Sequence, residues 1–128
     1  MKLLLDTCTF LWIASEPAKL SETAAELFQD ENNTCYLSSV SAWEIAVVVS
    51  LGRVRFSESL EVVVPRIRKR HGIRTLKLLE SATMMASRLP FIHRDPFDRM
   101  LICQAIAHGL TLLTPDQHIA RYAVPVIW

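Results

Sequence analysis

Leu3-Leu4-Leu5 is a continuous apolar run ended by Asp6. A run without polar alternation suits a strand buried on both faces, as at the centre of a parallel sheet. Ala24, Leu27 and Phe28 recur at helical spacing behind Ser21. That predicts a helix capped by Ser21 and ended at Asn32-Asn33. Residues 35–38 read as a second short strand. Ser39 or Ser41 then caps a helix running to about Leu51, with Gly52 just past its end. Val54 to Phe56 reads as a short extended connection. Ser57 caps the next helical stretch, which Pro65 should kink or split before it ends at Gly72. Residues 73–78 are a third strand, and residues 80–89 are helical until Pro90 stops them. Asp95-Pro96 opens a helix to His108 that Gly109 closes. Residues 110–114 form a fourth strand, and residues 124–128 a last one that Pro125 restricts to an edge. Strands alternating with helices predict an α/β fold, with a mainly parallel sheet between helical layers and right-handed crossovers.

Length and composition narrow the class. A chain of 128 residues and 14.5 kDa exposes roughly 6,900 Å² folded against roughly 21,000 Å² unfolded, enough burial for one core. No repeat or linker divides it, so residues 1–128 read as one domain. Hydrophobic residues at 51% and charged residues at 21% exclude a disordered chain. No apolar run approaches the ~20 residues of a membrane span, and residues 3–12 lack the cleavage site of a signal peptide. Cys8, Cys35 and Cys103 are an odd set without CxxC spacing. They read as small buried hydrophobes in a cytoplasmic protein, not as disulfides or a zinc site.

The net charge of +1 hides an asymmetry. Residues 16–31 carry five acids against Lys19 alone, and residues 53–77 carry eight basic residues against Glu58 and Glu61. The basic stretch suits a polyanion or an acidic partner as well as it suits a solvated helix face.

Several chemistries are absent. There is no GxGxxG, no P-loop, no GxSxG elbow and no HExxH. The acids are more informative. Asp6 ends the first strand, on the edge where open parallel sheets bind ligands; its plain structural role would be to cap a following helix. Glu44 follows the second strand, although Ser41-Ala42-Trp43-Glu44 also reads as a capping box. Asp95 precedes Pro96 and fits an N-cap. Asp98 lies on or beside the buried face of its helix, since Leu101, Ile102 and Ala105 follow at spacings of three, four and seven. A carboxylate there is costly without compensation. Asp116 follows the fourth strand in Thr114-Pro115-Asp116, which is also ordinary turn chemistry. Taken together, these carboxylates meet at one edge, repel one another, and select Mg²⁺ or Mn²⁺. Beside a basic surface that fits metal-assisted phosphodiester hydrolysis.

The chain resembles the PIN-domain nucleases, and within them the VapC-type toxins of toxin–antitoxin pairs. The carriers are Leu3-Leu4-Leu5-Asp6-Thr7, Ser41-Ala42-Trp43-Glu44-Ile45, residues 94–102 (Arg-Asp-Pro-Phe-Asp-Arg-Met-Leu-Ile) with Ala105, and Leu113-Thr114-Pro115-Asp116. The ending Val-Pro-Val-Ile-Trp at residues 124–128 fits one VapC-like subgroup. The resemblance implies an α/β/α sandwich around a parallel sheet of four to five strands. It implies Mg²⁺- or Mn²⁺-dependent endoribonuclease activity leaving 5′-phosphate and 3′-hydroxyl ends. The family's four acids map onto Asp6, Glu44, Asp98 and Asp116, supported by Thr7 and Thr114. Asp95 lies close to the third acid and serves as an outer ligand or a cap. It further implies an antitoxin partner and a homodimer. Arg66, Arg68, Lys69 and Arg70 are the first candidates for RNA phosphate contacts.

Two other classes compete. A haloacid-dehalogenase-type phosphatase needs a second Asp two residues after its nucleophile, where this chain has Cys8. A catalytically silent PIN-like module binding RNA or a protein needs none of the four acids, and all four are present.

Overall fold

The computed structural model describes all 128 residues. β1 (Lys2–Leu5) is the central strand of a five-stranded sheet. It is followed by α1 (Thr7–Ser15), α2 (Glu22–Gln29), β2 (Thr34–Ser38), α3 (Ser39–Ser50), α4 (Leu60–Arg70) and β3 (Arg74–Leu76). Then come α5 (Glu80–Met85), α6 (Pro96–His108), β4 (Thr111–Leu113) and β5 (Val126–Ile127). Short 3₁₀ turns at Pro17–Lys19 and Ile119–Arg121 complete the chain.

The strand order is β3-β2-β1-β4-β5, and every pairing is parallel. The chain leaves β1 towards β2 and β3, then returns to the other side of β1 with β4. The carboxyl ends of β1 and β4 therefore flank the point where the winding reverses, and a crevice opens there. Leu3 and Leu5 pack into one core with Phe10, Leu37, Ile45 and Leu113. Leu4 points the other way into a second core with Leu101, Ile102, Ala105 and Leu112. The unbroken apolar run of β1 is thus buried on both faces, with helices covering each.

Local signals set several boundaries. Ser21 caps α2, its hydroxyl accepting from Ala24 N at 3.0 Å. Asp95 caps α6 by accepting from Phe97 N at 2.9 Å and Asp98 N at 3.1 Å. Gly109 closes α6 at φ +65°, with open space where a Cβ would go. Gly109→Ala should cost about 1 kcal/mol through backbone strain alone, read as a lower denaturant midpoint at unchanged slope.

Other boundaries differ from expectation. The α3 cap is Ser38, whose hydroxyl accepts from Val40 N at 2.9 Å, so Ser39 and Ser41 lie inside the helix. α4 starts behind Ser59, not Ser57, and runs unbroken through Pro65. Pro65 and Glu61 are both exposed, so the carbonyl that Pro65 leaves unpaired lies on the wet face of the helix. α5 stops at Met85, and residues 86–88 continue as tight turns. Val54 to Phe56 is irregular and pairs with no strand. The apolar stretch after Asp6 is helix α1, with Asp6 as its N-cap.

Candidate active site

The turn from β1 into α1 fixes Asp6. Its Oδ1 accepts from Thr7 N at 2.7 Å, and its Oδ2 accepts from the Thr114 hydroxyl at 2.6 Å. The Cys8 thiol approaches the same Oδ2 at 3.5 Å. Thr114 Oγ1 in turn accepts from Asp116 N at 3.0 Å. One hydroxyl after β4 therefore ties the acid after β1 to the acid after β4. Asp116 Oδ1 accepts from His118 N at 2.7 Å, closing the turn that was its alternative reading. The turn and the site use the same residue.

Glu44 sits in the second turn of α3, one turn later than a capping box requires. Ser41 does not pair with it. The Thr7 hydroxyl donates to Ser41 Oγ at 3.0 Å instead. Glu44 Oε1 is left buried with no hydrogen-bond partner. Asp98 is the third residue of α6 and is buried. Asp6, Glu44, Asp95, Asp98 and Asp116 all line one pocket of about 320 Å³. Thr7, Cys8, Leu11, Val48 and Val54 form the rest of its wall.

Burial pushes the Asp98 carboxyl up to about 8, helped by the charges of Asp6, Asp95, Asp116 and Glu44. Asp6 is raised by burial, a rise partly offset by the hydrogen bonds from Thr114, Thr7 and Cys8, and reinforced by Asp116. Glu44 is raised chiefly by burial, and the charges of Asp95 and Asp6 add to it. Burial and then the charge of Asp6 push the Cys8 thiol up to about 12. Cys8 therefore stays a thiol at neutral pH and is no nucleophile.

Such a cluster is short of positive charge, and no lysine or arginine lines the pocket. The donors are all hard carboxylate oxygens, one of them unpaired and buried, which fits a small divalent cation. No three of these side chains are closed onto a single point; they stand around the pocket and face it. Asp6 uses three acceptor positions of about four on a carboxylate, so it can hold an ion without losing its cap.

The structure thus brings Asp6, Glu44, Asp98, Asp116, Asp95 and Thr7 together, with Thr114 just behind Asp6. It does not bring Arg66, Arg68, Lys69 or Arg70 to the pocket. Arg66 pairs with Glu58 at 2.6 Å, and Arg68 bonds the Thr75 hydroxyl. Arg68 lines a separate groove with Ala42 and Ala46 of α3. Those alanines are two residues off the Glu44 and Val48 positions and face away from them. Sequence reading missed the apolar wall of Leu11, Val48 and Val54, and it missed His93. His93 lies five residues before Asp98, but its partner Tyr122 is far along the chain.

The family model of the PIN domain matches residues 3–125 of this chain. A curated relative, "Ribonuclease VapC22" of Mycobacterium tuberculosis, is 25% identical over 123 residues, covering 95% of this chain and 92% of the relative. VapBC2 from Rickettsia felis, solved bound to a DNA fragment from the promoter, superposes with a TM-score of 0.77 at 19% identity, covering 99% of this chain and 98% of that one. DNA-bound VapBC from Salmonella typhimurium gives a TM-score of 0.69 at 18% identity, covering 99% and 97%. The match along nearly the whole chain, on the same parallel sheet, shows that the protein belongs to the PIN domain family.

Proposed function

We propose that this chain is a divalent-metal-dependent endoribonuclease, the toxin of a VapBC-type pair. The observation that carries the reading is the single pocket lined by Asp6, Glu44, Asp95, Asp98 and Asp116. A relative named as a ribonuclease and structural neighbours described as VapBC complexes support it. By the same likeness the partners are RNA, a cognate antitoxin and a second copy of the chain, acting in the cytoplasm. No helix is long and apolar enough to cross a membrane.

Asp6 and Asp98 would hold Mg²⁺ or Mn²⁺, with Glu44 and Asp116 completing the set directly or through water. An ion held there supplies charge to the phosphoryl oxygens and makes water acidic enough to attack near neutral pH. Thr114 keeps Asp6 and Asp116 in register, and Asp95 spends one oxygen, Oδ1, on capping α6. The Leu11, Val48 and Val54 wall lowers the local dielectric, which strengthens every charge interaction in the pocket. No side-chain nucleophile takes part.

The test is cleavage of purified cellular RNA with Mg²⁺ or Mn²⁺ and with a chelator. Metal-dependent cleavage leaving 5′-phosphate ends is the expected result. Products bearing 2′,3′-cyclic phosphate would overturn water as the nucleophile, and metal binding without any turnover would favour the silent binding module.

RNA positioning falls to the basic residues of α4, with Arg66, Lys69 and Arg70 on one exposed face and Arg68 turned away from them towards α3 and Thr75. Each phosphate contact on a single strand adds about 0.7 to the slope of log affinity against log salt. Neutralising all four should therefore flatten the slope by between one and three such steps, since Arg66 and Arg68 already have protein partners. An unchanged slope would leave α4 as a plain solvated surface.

A further inference from the structure

Asp98 is the one acid of the pocket met by an imidazole. His93 Nε2 lies 3.1 Å from Asp98 Oδ2, with both side chains nearly buried. On the far side of the ring, His93 Nδ1 lies 2.8 Å from the Tyr122 phenol oxygen. That oxygen also meets the His93 backbone N–H at 3.1 Å and Arg99 Nη1 at 3.1 Å. Tyr122 and Arg99 are both buried.

Counting protons fixes the direction of the chain. A backbone amide and a guanidinium can only donate, so together they fill the acceptor capacity of the phenol oxygen. Its own hydrogen must go to His93 Nδ1. That nitrogen is then an acceptor, so the neutral ring carries its proton on Nε2, facing Asp98 Oδ2. Arg99 also donates to the Pro90 carbonyl at 2.8 Å and the Leu89 carbonyl at 3.3 Å. It thereby pins the segment that carries His93 against α6. The His118 ring stacks on His93 with centroids 5.6 Å apart and planes within 8°. No protein group hydrogen-bonds Asp98 Oδ1, which leaves that oxygen free for the pocket.

We propose that His93 is a positioning residue of the metal site, its Nε2–H tautomer dictated by Tyr122 and Arg99 and used to orient the Asp98 carboxylate. The proposal rests on reading the acid pocket as a divalent-metal centre. It assigns His93, Tyr122 and Arg99 to that site, which the acid pattern alone does not include. Partners behind a metal ligand fix its orientation, and losing one costs binding as well as rate.

The test is Mn²⁺ binding by the full chain, followed by titration of free Mn²⁺ in the wild type, His93→Ala, His93→Gln and Tyr122→Phe. His93→Ala should weaken Mn²⁺ about 10-fold or more, whereas His93→Gln should stay within about 3-fold, because the glutamine amide can donate from the Nε2 position. Tyr122→Phe should fall between them. Nitrogen NMR of the ring should show Nε2–H in the wild type and a tautomer mixture in Tyr122→Phe. Melting curves without metal confirm that each variant is folded. Equal affinity in wild type and His93→Ala overturns the proposal, as does a folded His93→Gln that binds as weakly as His93→Ala, or a wild-type ring protonated on Nδ1. A wild type that binds no Mn²⁺ removes the metal-centre reading itself and the proposal with it.

Discussion

Asp98→Asn should lower metal-dependent RNA cleavage by about 10³-fold or more, the equivalent of about 4 kcal/mol of transition-state stabilisation. The same substitution should raise the melting temperature of the metal-free protein at pH 8. The two effects have one cause. Asp98 is buried among the charges of Asp6, Asp95, Asp116 and Glu44, and burial is the largest contribution to its raised pKa. A neutral amide of the same shape removes that repulsion and still accepts from His93 Nε2. It also removes a charged ligand. Asp6→Asn should lose as much cleavage without gaining stability. Both oxygens of Asp6 accept hydrogen bonds, and an amide group facing Thr114 would leave that hydroxyl without an acceptor, since Thr114 Oγ1 already takes Asp116 N–H. Cleavage assays beside melting curves in chelator separate the two variants. An Asp98→Asn protein that cleaves like the wild type would move the role to Asp95 or expose a contaminating nuclease.

The contrast between Asp6 and Asp98 also shows what a sequence can and cannot disclose. The strand ends were legible because an unbroken apolar run, Leu3-Leu4-Leu5, stops on an acid. The α6 boundaries were legible because Asp95-Pro96 and Gly109 are local signals whose geometry depends on neighbours in the chain. The four acids mapped by resemblance do line one pocket. What depended on distant partners was hidden. Asp6 is a cap and a candidate ligand together because Thr114, 108 residues away, supplies its second hydrogen bond. Ser41-x-x-Glu44 imitates a capping box, but Ser38 takes the cap and frees Glu44 for the pocket. The His93–Tyr122 contact joins residues 29 apart, and no spacing rule announces it. Pro65 misled for the opposite reason: the local rule is sound, but on an exposed helix face water can satisfy the carbonyl that the ring leaves unpaired.

Metal-free protein should lose thermal stability as pH rises, against the usual behaviour of acid-sensitive proteins. The folded-state pKa of Asp98 is about 8, against an ordinary aspartate value of 3.8. The folded chain therefore binds the Asp98 proton more tightly than the unfolded chain does. Stability from that proton is complete below about pH 4 and is lost as pH climbs through about 8. Asp6 and Glu44 are raised as well and act in the same direction. Between pH 5 and pH 8 the melting temperature in chelator should fall by on the order of 10 °C. Mg²⁺ or Mn²⁺ should reverse the loss, because the ion binds only the folded site. At a hundred times its Kd it adds about 2.7 kcal/mol. The gain should be larger at pH 8 than at pH 5, where protons compete for the same oxygens. Melting curves at the two pH values, with chelator and with Mn²⁺, measure all of this at once. In Asp98→Asn both the pH dependence and the metal gain should shrink together. A wild-type melting temperature indifferent to pH and to Mn²⁺ would show that the five carboxylates find their compensation inside the protein, and that the pocket is not built around an ion.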